Sequence, residues 1–232
     1  MLKAELHIHT HEDPQDSFFI KHTAKQLIDE AHKQNFDILA FTCHNHVLYF
    51  EELQNYAKTK NIFLIPGVER TIHGKHVLIY NLTNQEAQNI KSFKDLHQLK
   101  QQKQKSNQPF LVVAPHPFYP LPTCLRNLIL KYFHLFDAWE YSFFYHQLIN
   151  PNKKTQKLAQ KYHKPLIGNS DIHRLSVLGK TYTLINSEKN LHSIFHAIRN
   201  NQVEIKTAPL SLPLLFKLSC LRYYYGLKKA IS

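Results

Sequence analysis

Ala4-Glu5-Leu6-His7-Ile8-His9 reads as a short strand that ends in two imidazoles. Positions i and i+2 of a strand share a face, so His7 and His9 can reach one site. Alone the pair says little. Histidine makes up 17 of the 232 residues, and His9/His11 and His44/His46 repeat the spacing by chance. The pair gains force from the rest of the chain. Strand-like apolar runs recur at Ala4–His9, Asp37–Thr42, Ile62–Gly67, His76–Asn81, Phe110–Ala114, Asp137–Ser142, Pro165–Ser170 and Tyr182–Asn186. Helical patterns lie between them at Thr23–Lys33, Phe50–Thr59, Asn84–Gln104, Thr123–Phe133, Lys153–Tyr162 and Asn190–Asn200. Strands alternating with helices predict a parallel sheet with helices packed outside it. Repetition of the unit within one domain length favours an α/β barrel over an open sheet.

The strand ends carry the chemistry. His44 follows the second run, Glu69 the third and His116 the fifth. Glu140 lies near the end of the sixth, and Asp171-Ile172-His173 closes the seventh. Barrels place their chemistry where the C-terminal ends of the strands converge, so these residues are expected to meet. Imidazoles mixed with carboxylates suit zinc, manganese or iron, whereas magnesium and calcium prefer mostly oxygen. The set exceeds the four positions of one tetrahedral site, so two or three divalent ions are expected. Closely spaced ions can polarise a phosphoryl group and share a hydroxide nucleophile.

Composition narrows the partners. Hydrophobic residues at 43% and charged residues at 20% describe an ordinary globular chain rather than a disordered one. No stretch approaches the roughly 20 apolar residues that span a bilayer, and Met1-Leu2-Lys3-Ala4-Glu5 opens directly into the first strand without a signal-peptide apolar region. Cys43, Cys124 and Cys220 are few, scattered and odd in number. They form no disulfide framework, which points to a cytoplasmic location. A net charge of +12 favours anionic partners. No glycine-rich phosphate loop and no Gly-x-Ser-x-Gly motif is present.

His7-x-His9, Thr42-Cys43-His44, Gly67-Val68-Glu69, Pro115-His116-Pro117 and Ser170-Asp171-x-His173 stand in the order of the motifs of the PHP (polymerase and histidinol phosphatase) family, which the chain resembles from residue 7 to residue 173. The resemblance implies a distorted, seven-stranded β/α barrel, a two- or three-metal site and phosphoester hydrolysis. By position it implies His7, His9, His44, Glu69, His116, Asp171 and His173 as metal ligands. It adds His76, with His73 as the nearby competitor. It also implies one more ligand shortly after the first motif, for which Asp16 is chosen over Asp13 and His11. The family's second motif is commonly Thr-Asp-His. Here Cys43 replaces the acid, either as a thiolate near the metals or as a small buried residue in the barrel wall.

Arg70 and Arg174 directly follow proposed ligands and could each clamp a phosphate or pair with a carboxylate at the rim. Lys75 and Arg126 are weaker candidates. Glu140 could be a buried partner of a histidine rather than a ligand. Trp139, Tyr141, Phe143, Phe144 and Tyr145 could stack a ring but read first as strand core and loop. Residues 1–211 are expected to form the barrel. Residues 212–232, with Leu214, Leu215, Leu218 and Leu221 at helical spacing among Lys217, Arg222, Lys228 and Lys229, are expected to form a helix covering one end. The expected activity is attack of metal-bound hydroxide on a small phosphomonoester, a nucleotide or the end of a short oligonucleotide, with no obligate protein partner. The competing readings are a metal-dependent amidohydrolase, which a carbamylated lysine ligand would signal, and a non-catalytic nucleic-acid-binding module, which loss of ligands would signal.

Overall fold

The strands of the computed structural model, which describes residues 1–220, are β1 (Leu2–Ile8), β2 (Ile38–Phe41), β3 (Phe63–Ile72), β4 (Lys75–Tyr80), β5 (Leu111–Ala114), β6 (Ala138–Ser142), β7 (Leu166–Asn169), β8 (Thr181–Ile185) and β9 (Val203–Thr207). They form one sheet in the order β7-β6-β5-β4-β3-β2-β1-β8-β9. The helices are α1 (Ala24–Lys33), α2 (Glu51–Thr59), α3 (Asn84–Asn89), α4 (Phe93–Lys105), α5 (Leu128–Lys131), α6 (Asn152–Lys161) and α7 (Leu191–Arg199). Residues 212–220 form a further helix.

The sheet curls until β7 returns to β1. Ile172, just past β7, bridges Ile8 in parallel, and the Leu6 N–H donates to Asn169 Oδ1 at 3.1 Å. β1 therefore divides its outer edge. Leu2–Ala4 pair with β8, while Ile8 meets the chain beyond β7. Seven strands make a nearly closed, distorted barrel, and β8 and β9 extend it. The nine strands among the described residues exceed the seven expected. β9 escaped the sequence reading because it is a partly exposed edge strand with only Val203 and Ile205 alternating.

Ala4, Leu6, Ile38, Ala40, Ile65, Leu78, Tyr80, Leu111 and Val113 share one buried cluster with Ile194, Phe195 and Ile198 of α7. This is the barrel interior, closed at one end by α7. Two outer clusters bind helices to the wall. One takes α1 and α2, and the other takes α3, α4 and α5. Helix α1 shows the logic. Thr23 and Gln26 form a capping box, and Ala24, Leu27, Ile28 and Ala31 are buried at i, i+3, i+4 and i+7. Full burial of each large aliphatic side chain contributes about 1.5–3 kcal/mol.

The Asn84–Gln104 helix of the sequence reading is in fact two helices. Ile90 is extended, and Ser92 restarts the chain with a capping box to Asp95. The expected helix over Thr123–Phe133 shrinks to α5 and a 3-10 turn at Phe133–Leu135, because Arg126 adopts a positive φ of 50° that no helix tolerates. Leu214, Leu215 and Leu218 of the 212–220 helix pack against the α1/α2 cluster, while Leu212 and Phe216 are exposed. Leu221, Arg222, Lys228 and Lys229 lie outside the described residues.

Gly168 marks the tightest point of closure. A Cβ there would lie 2.6 Å from Ile205 Cγ2 and 2.9 Å from Thr181 Cγ2. Both neighbours are β-branched and stiff. Gly168→Ala is expected to destabilise the protein by about 1–3 kcal/mol, read as a lower thermal midpoint. An unchanged midpoint would mean that β8 and β9 yield easily.

Candidate metal centre

A β-bulge aims the first two histidines. Ala4 pairs with Ile38 and Glu5 with Leu39, but Ile8 pairs with Phe41, so β1 carries one residue too many between Glu5 and Ile8. Simple alternation from Ala4 and Leu6 would turn Ile8 inward and His7 and His9 outward. The extra residue reverses the parity, as bulges beside active sites do. Ile8 joins the outer cluster, and His7 and His9 are fully buried over the barrel interior. A hairpin aims His76. His73 and Gly74 have φ of 47° and 72° and form a two-residue turn that pairs Ile72 with Lys75 and Thr71 with His76. Glu69, two residues before Thr71, therefore shares a face with His76. His73 sits in the exposed turn, which decides between the two. His116 and Asp171 have φ of 29° and 43°, a rare region for non-glycine residues that clusters at functional sites.

Glu69 lies at the centre, 2% exposed. Its Oε1 is 3.5 Å from His7 Nε2, 2.8 Å from His76 Nδ1 and 3.4 Å from His116 Nε2. Its Oε2 is 3.3 Å from His9 Nε2 and 3.2 Å from His44 Nε2. Asp171 Oδ1 is the second hub, 3.4 Å from His7 Nε2, 3.5 Å from His9 Nε2 and 3.3 Å from His173 Nδ1. Asp16 Oδ2 forms a third focus, 3.2 Å from His173 Nε2 and 3.6 Å from His44 Nδ1. All nine residues expected as ligands thus come together.

Two further carboxylates grip the far sides of the rings. Glu140 accepts from His7 Nδ1 at 2.8 Å, from the His116 N–H at 2.8 Å and from Asn169 Nδ2 at 2.9 Å. Asp13 accepts from His9 Nδ1 at 2.8 Å, His44 Nδ1 at 3.0 Å and the His44 N–H at 2.8 Å. A carboxylate on Nδ1 fixes the tautomer and leaves Nε2 a donor pair for a metal. Asp13, a rival of Asp16 in the sequence, is therefore placed to orient two rings. His11 bonds the Ser17 and Ile20 carbonyls at 3.1 Å and shapes the loop. His22, unremarkable in the sequence, holds the His9 carbonyl through Nε2 at 3.0 Å. Glu140→Gln, which cannot accept equally at both oxygens, is expected to weaken metal affinity about 10–100-fold. Competition with a chromophoric chelator measures it, and unchanged affinity would remove Glu140 from the positioning role.

The electrostatics follow from crowding. Burial opposes charge on His7, yet Glu140, Asp171 and Glu69 outweigh it and raise its pKa to about 10. Burial alone would raise Asp16, but His173, His44 and His9 hold it at about 2. Despite burial, the neighbouring imidazoles hold Glu69 and Asp171 well below the usual carboxylate range. At His76, burial prevails over Glu69 and lowers the pKa. Burial, then the charge of Asp13, pushes the Cys43 thiol up to about 12. Cys43 Sγ sits 3.9 Å from Thr10 Oγ1 within the outer cluster, so it is a wall residue and not a thiolate.

A cavity of about 500 Å³ opens above the cluster, lined by Asp16, Glu69, Asp171 and four of the histidines together with Arg174. Arg70 does not line it. Its Nε donates to the Ile90 carbonyl at 2.8 Å and its Nη1 to Asn45 Oδ1 at 2.6 Å. This corrects the reading of Arg70 as a phosphate clamp, because its guanidinium is spent on holding two loops. Trp139 and the Tyr141–Tyr145 pair are core and loop, but Phe143 and Phe144 reach the cavity.

Three atoms test whether the set fits metal ions. His7 Nε2, His9 Nε2 and Glu69 Oε1 are buried without a hydrogen-bond partner among the described residues. An unpaired buried polar atom ordinarily costs about 1–3 kcal/mol. Three that converge fit a site for cations, which between them would satisfy all three. The triples His7/His9/Asp171, His7/Glu69/His116 and His44/Glu69/His76 each offer donor atoms within 4.8 Å of one another.

A PHP-associated family model matches residues 150–203, from the start of α6 into β9. No curated protein matches the chain. Among solved structures, PsfC from Pseudomonas syringae superposes with a TM-score of 0.65 at 18% identity, covering 97% of this chain and 98% of that one. A candidate metal-dependent phosphoesterase from Bifidobacterium adolescentis gives 0.52 at 13% identity, over 74% and 87%. An amidohydrolase from Chromobacterium violaceum, with bound sulfate and no metal, gives 0.52 at 15%, over 73% and 87%. At these identities the likenesses show the fold.

Proposed function

On the premise of a PHP-domain family, which the matched segment and the fold support, we propose that the chain is a metal-dependent phosphoesterase. The observation that carries the reading is the convergence of three orphaned buried donors, on His7, His9 and Glu69, with Asp171 beside them. His7, His9 and Asp171 would hold one ion and His44, Glu69 and His76 a second, with His116 beside Glu69, while Asp16 and His173 would offer donors to a third. The nitrogen-rich donor set suits manganese, zinc or iron. When bound, such ions supply positive charge against phosphoryl oxygens and lower the pKa of water.

The chain's own residues do the rest. Glu140 and Asp13 hold four histidines, on three segments of the chain, in register through Nδ1 and backbone contacts. Arg174, at the mouth, offers a fork of donors to phosphate oxygens. The barrel interior beneath the cluster excludes water from below, which strengthens every charge interaction above it. No lysine lines the cavity among the described residues, so the carbamylated-lysine signature of an amidohydrolase has no candidate there.

Protein purified without added metal is expected to retain more than one equivalent of manganese, iron or zinc and to release phosphate from monoesters. Elemental analysis before and after chelation, with phosphate release in parallel, tests both. Absence of metal with no uptake on addition would sink the reading. No helix among the described residues is long and apolar enough to cross a membrane.

A further inference from the structure

The walls of the cavity differ from its floor. Above the His, Asp and Glu cluster the lining is Leu121 and Pro122 from the loop after β5, Phe143 and Phe144 after β6, Val177 after β7, and Leu218 of the 212–220 helix. Besides the proposed ligands, the polar groups that line it are Thr123 and Arg174 alone among the described residues. Arg174 is therefore the single permanently cationic side chain in the lining; Lys75 stands outside it at the rim, where its ammonium donates to the Pro122 carbonyl. The cavity volume of about 500 Å³ lies within the ~300–1,000 Å³ of small-molecule sites.

This lining selects by two costs. A sugar or polyol brings hydroxyl groups that lose water on entry and find almost no partners. Burying such groups unpaired is unfavourable. A second phosphate, as in a bisphosphate, brings a charge for which the lining offers no second cation. An uncharged ring incurs neither cost and covers apolar wall, with aromatic partners in Phe143 and Phe144.

We propose that the substrate is a phosphomonoester of an aromatic alcohol, its phosphate over the metal cluster and Arg174 and its ring against Leu121, Phe143, Phe144 and Leu218. The assignment rests on the phosphoesterase reading and narrows it. The reaction is hydrolysis. Water forms the new P–O bond, the P–O bond to the alcohol oxygen breaks, and that oxygen leaves carrying a proton.

The test compares esters with similar alkoxide leaving groups, so that intrinsic reactivity does not decide the result. Benzyl phosphate, glycerol 3-phosphate and 1,4-butanediol bisphosphate are offered to the metal-loaded protein. Calorimetry measures binding of benzylphosphonate and methylphosphonate, which are not hydrolysed. Benzyl phosphate is expected to exceed glycerol phosphate about 10–30-fold in kcat/KM, benzylphosphonate to bind tighter than methylphosphonate by a similar factor, and the bisphosphate to be the poorest. Phe144→Ser and Leu218→Ser, made separately, should each shrink the benzyl-to-glycerol ratio several-fold. Two variants are used so that a folding defect in one, which thermal melts report, leaves the other informative. If glycerol phosphate matches benzyl phosphate, or neither variant moves the ratio, the aromatic assignment falls while the phosphoesterase reading stands. If no ester is turned over and the two phosphonates bind equally, both fall. Tighter benzylphosphonate binding without turnover keeps the apolar subsite and overturns the reaction.

Discussion

Glu69→Gln is expected to reduce phosphoester hydrolysis by about 1,000-fold or more, with the fold intact. The substitution keeps the size of the side chain and removes its charge. That charge faces five imidazoles, since Oε1 meets His7, His76 and His116 and Oε2 meets His9 and His44. An amide offers one acceptor oxygen where two are used, and its NH2 group points a donor at ring nitrogens or at any cation between them. Any ions held through this carboxylate would lose it together, so the loss is expected to exceed that of a ligand serving one ion. The backbone of Glu69 remains tied to the Thr42 carbonyl at 3.1 Å and to Leu78 across the hairpin, so the strand holds its place. Elemental analysis should show at least one ion lost, circular dichroism should be unchanged, and phosphate release should collapse. His9→Ala and Asp171→Ala belong to the same class. Lys153→Ala, on the exposed side of α6, is the control and should behave like the parent. Near-parental turnover in Glu69→Gln would mean that the chemistry happens elsewhere.

Much of this cluster was legible because its residues stand at strand ends, and strand ends show in hydropathy. His7, His9, His44, Glu69, His116, Asp171 and His173 could be chosen on that ground and on the ordered motifs. What stayed hidden is what depends on register. The bulge in β1 turns His7 and His9 inward, yet Ala4, Leu6 and Ile8 alternate as though Ile8 faced the interior. The division of labour between Asp13 and Asp16 lies in a loop with no periodicity, and only the contacts to Nδ1 of His9 and His44 distinguish it. Arg70 looked equivalent to Arg174 from its place after a ligand. The strand continues through Arg70 to Ile72, however, and carries its side chain away from the mouth to the Ile90 carbonyl. The Ser92-x-x-Asp95 capping box separates α3 from α4, but the long run of helix-forming residues around it masks the break. The stretch at residues 100–107 is polar in sequence, yet Lys100 and Lys103 are buried and paired with Asp137 and Glu86 at 2.8 and 2.7 Å.

Asp137→Ala should therefore cost more stability than its place just before a strand suggests. Asp137 Oδ1 receives Lys100 Nζ at 2.8 Å and Arg199 Nε at 3.2 Å, and its Oδ2 receives the Val112 N–H at 2.9 Å. One carboxylate thereby joins α4, α7 and the start of β5. Without it the Lys100 ammonium, 7% exposed, keeps a single acceptor, the Leu135 carbonyl at 2.7 Å. Removing one partner of a buried pair costs about 3–5 kcal/mol, because the other charge stays buried. For a chain of this size about 3 kcal/mol corresponds to a fall of roughly 6–12 °C in thermal midpoint. Burial, partly offset by Asp137, already holds the Lys100 pKa below its ordinary value. In the variant that offset is gone and the pKa falls further. Between the folded and unfolded pKa values the unfolded chain binds more protons, so stability rises with pH across that window. The deficit of Asp137→Ala is thus expected to narrow as the pH is raised from neutral toward 10. Lys100→Met should cost less, since Asp137 keeps Val112 and Arg199. The double variant Lys100→Met/Asp137→Asn should recover part of the loss, because no unpaired charge remains. Denaturant melts of the three variants at two pH values measure this. A deficit in Asp137→Ala that is below about 1 kcal/mol, or that widens at alkaline pH, would show that the pair is solvated and contributes little.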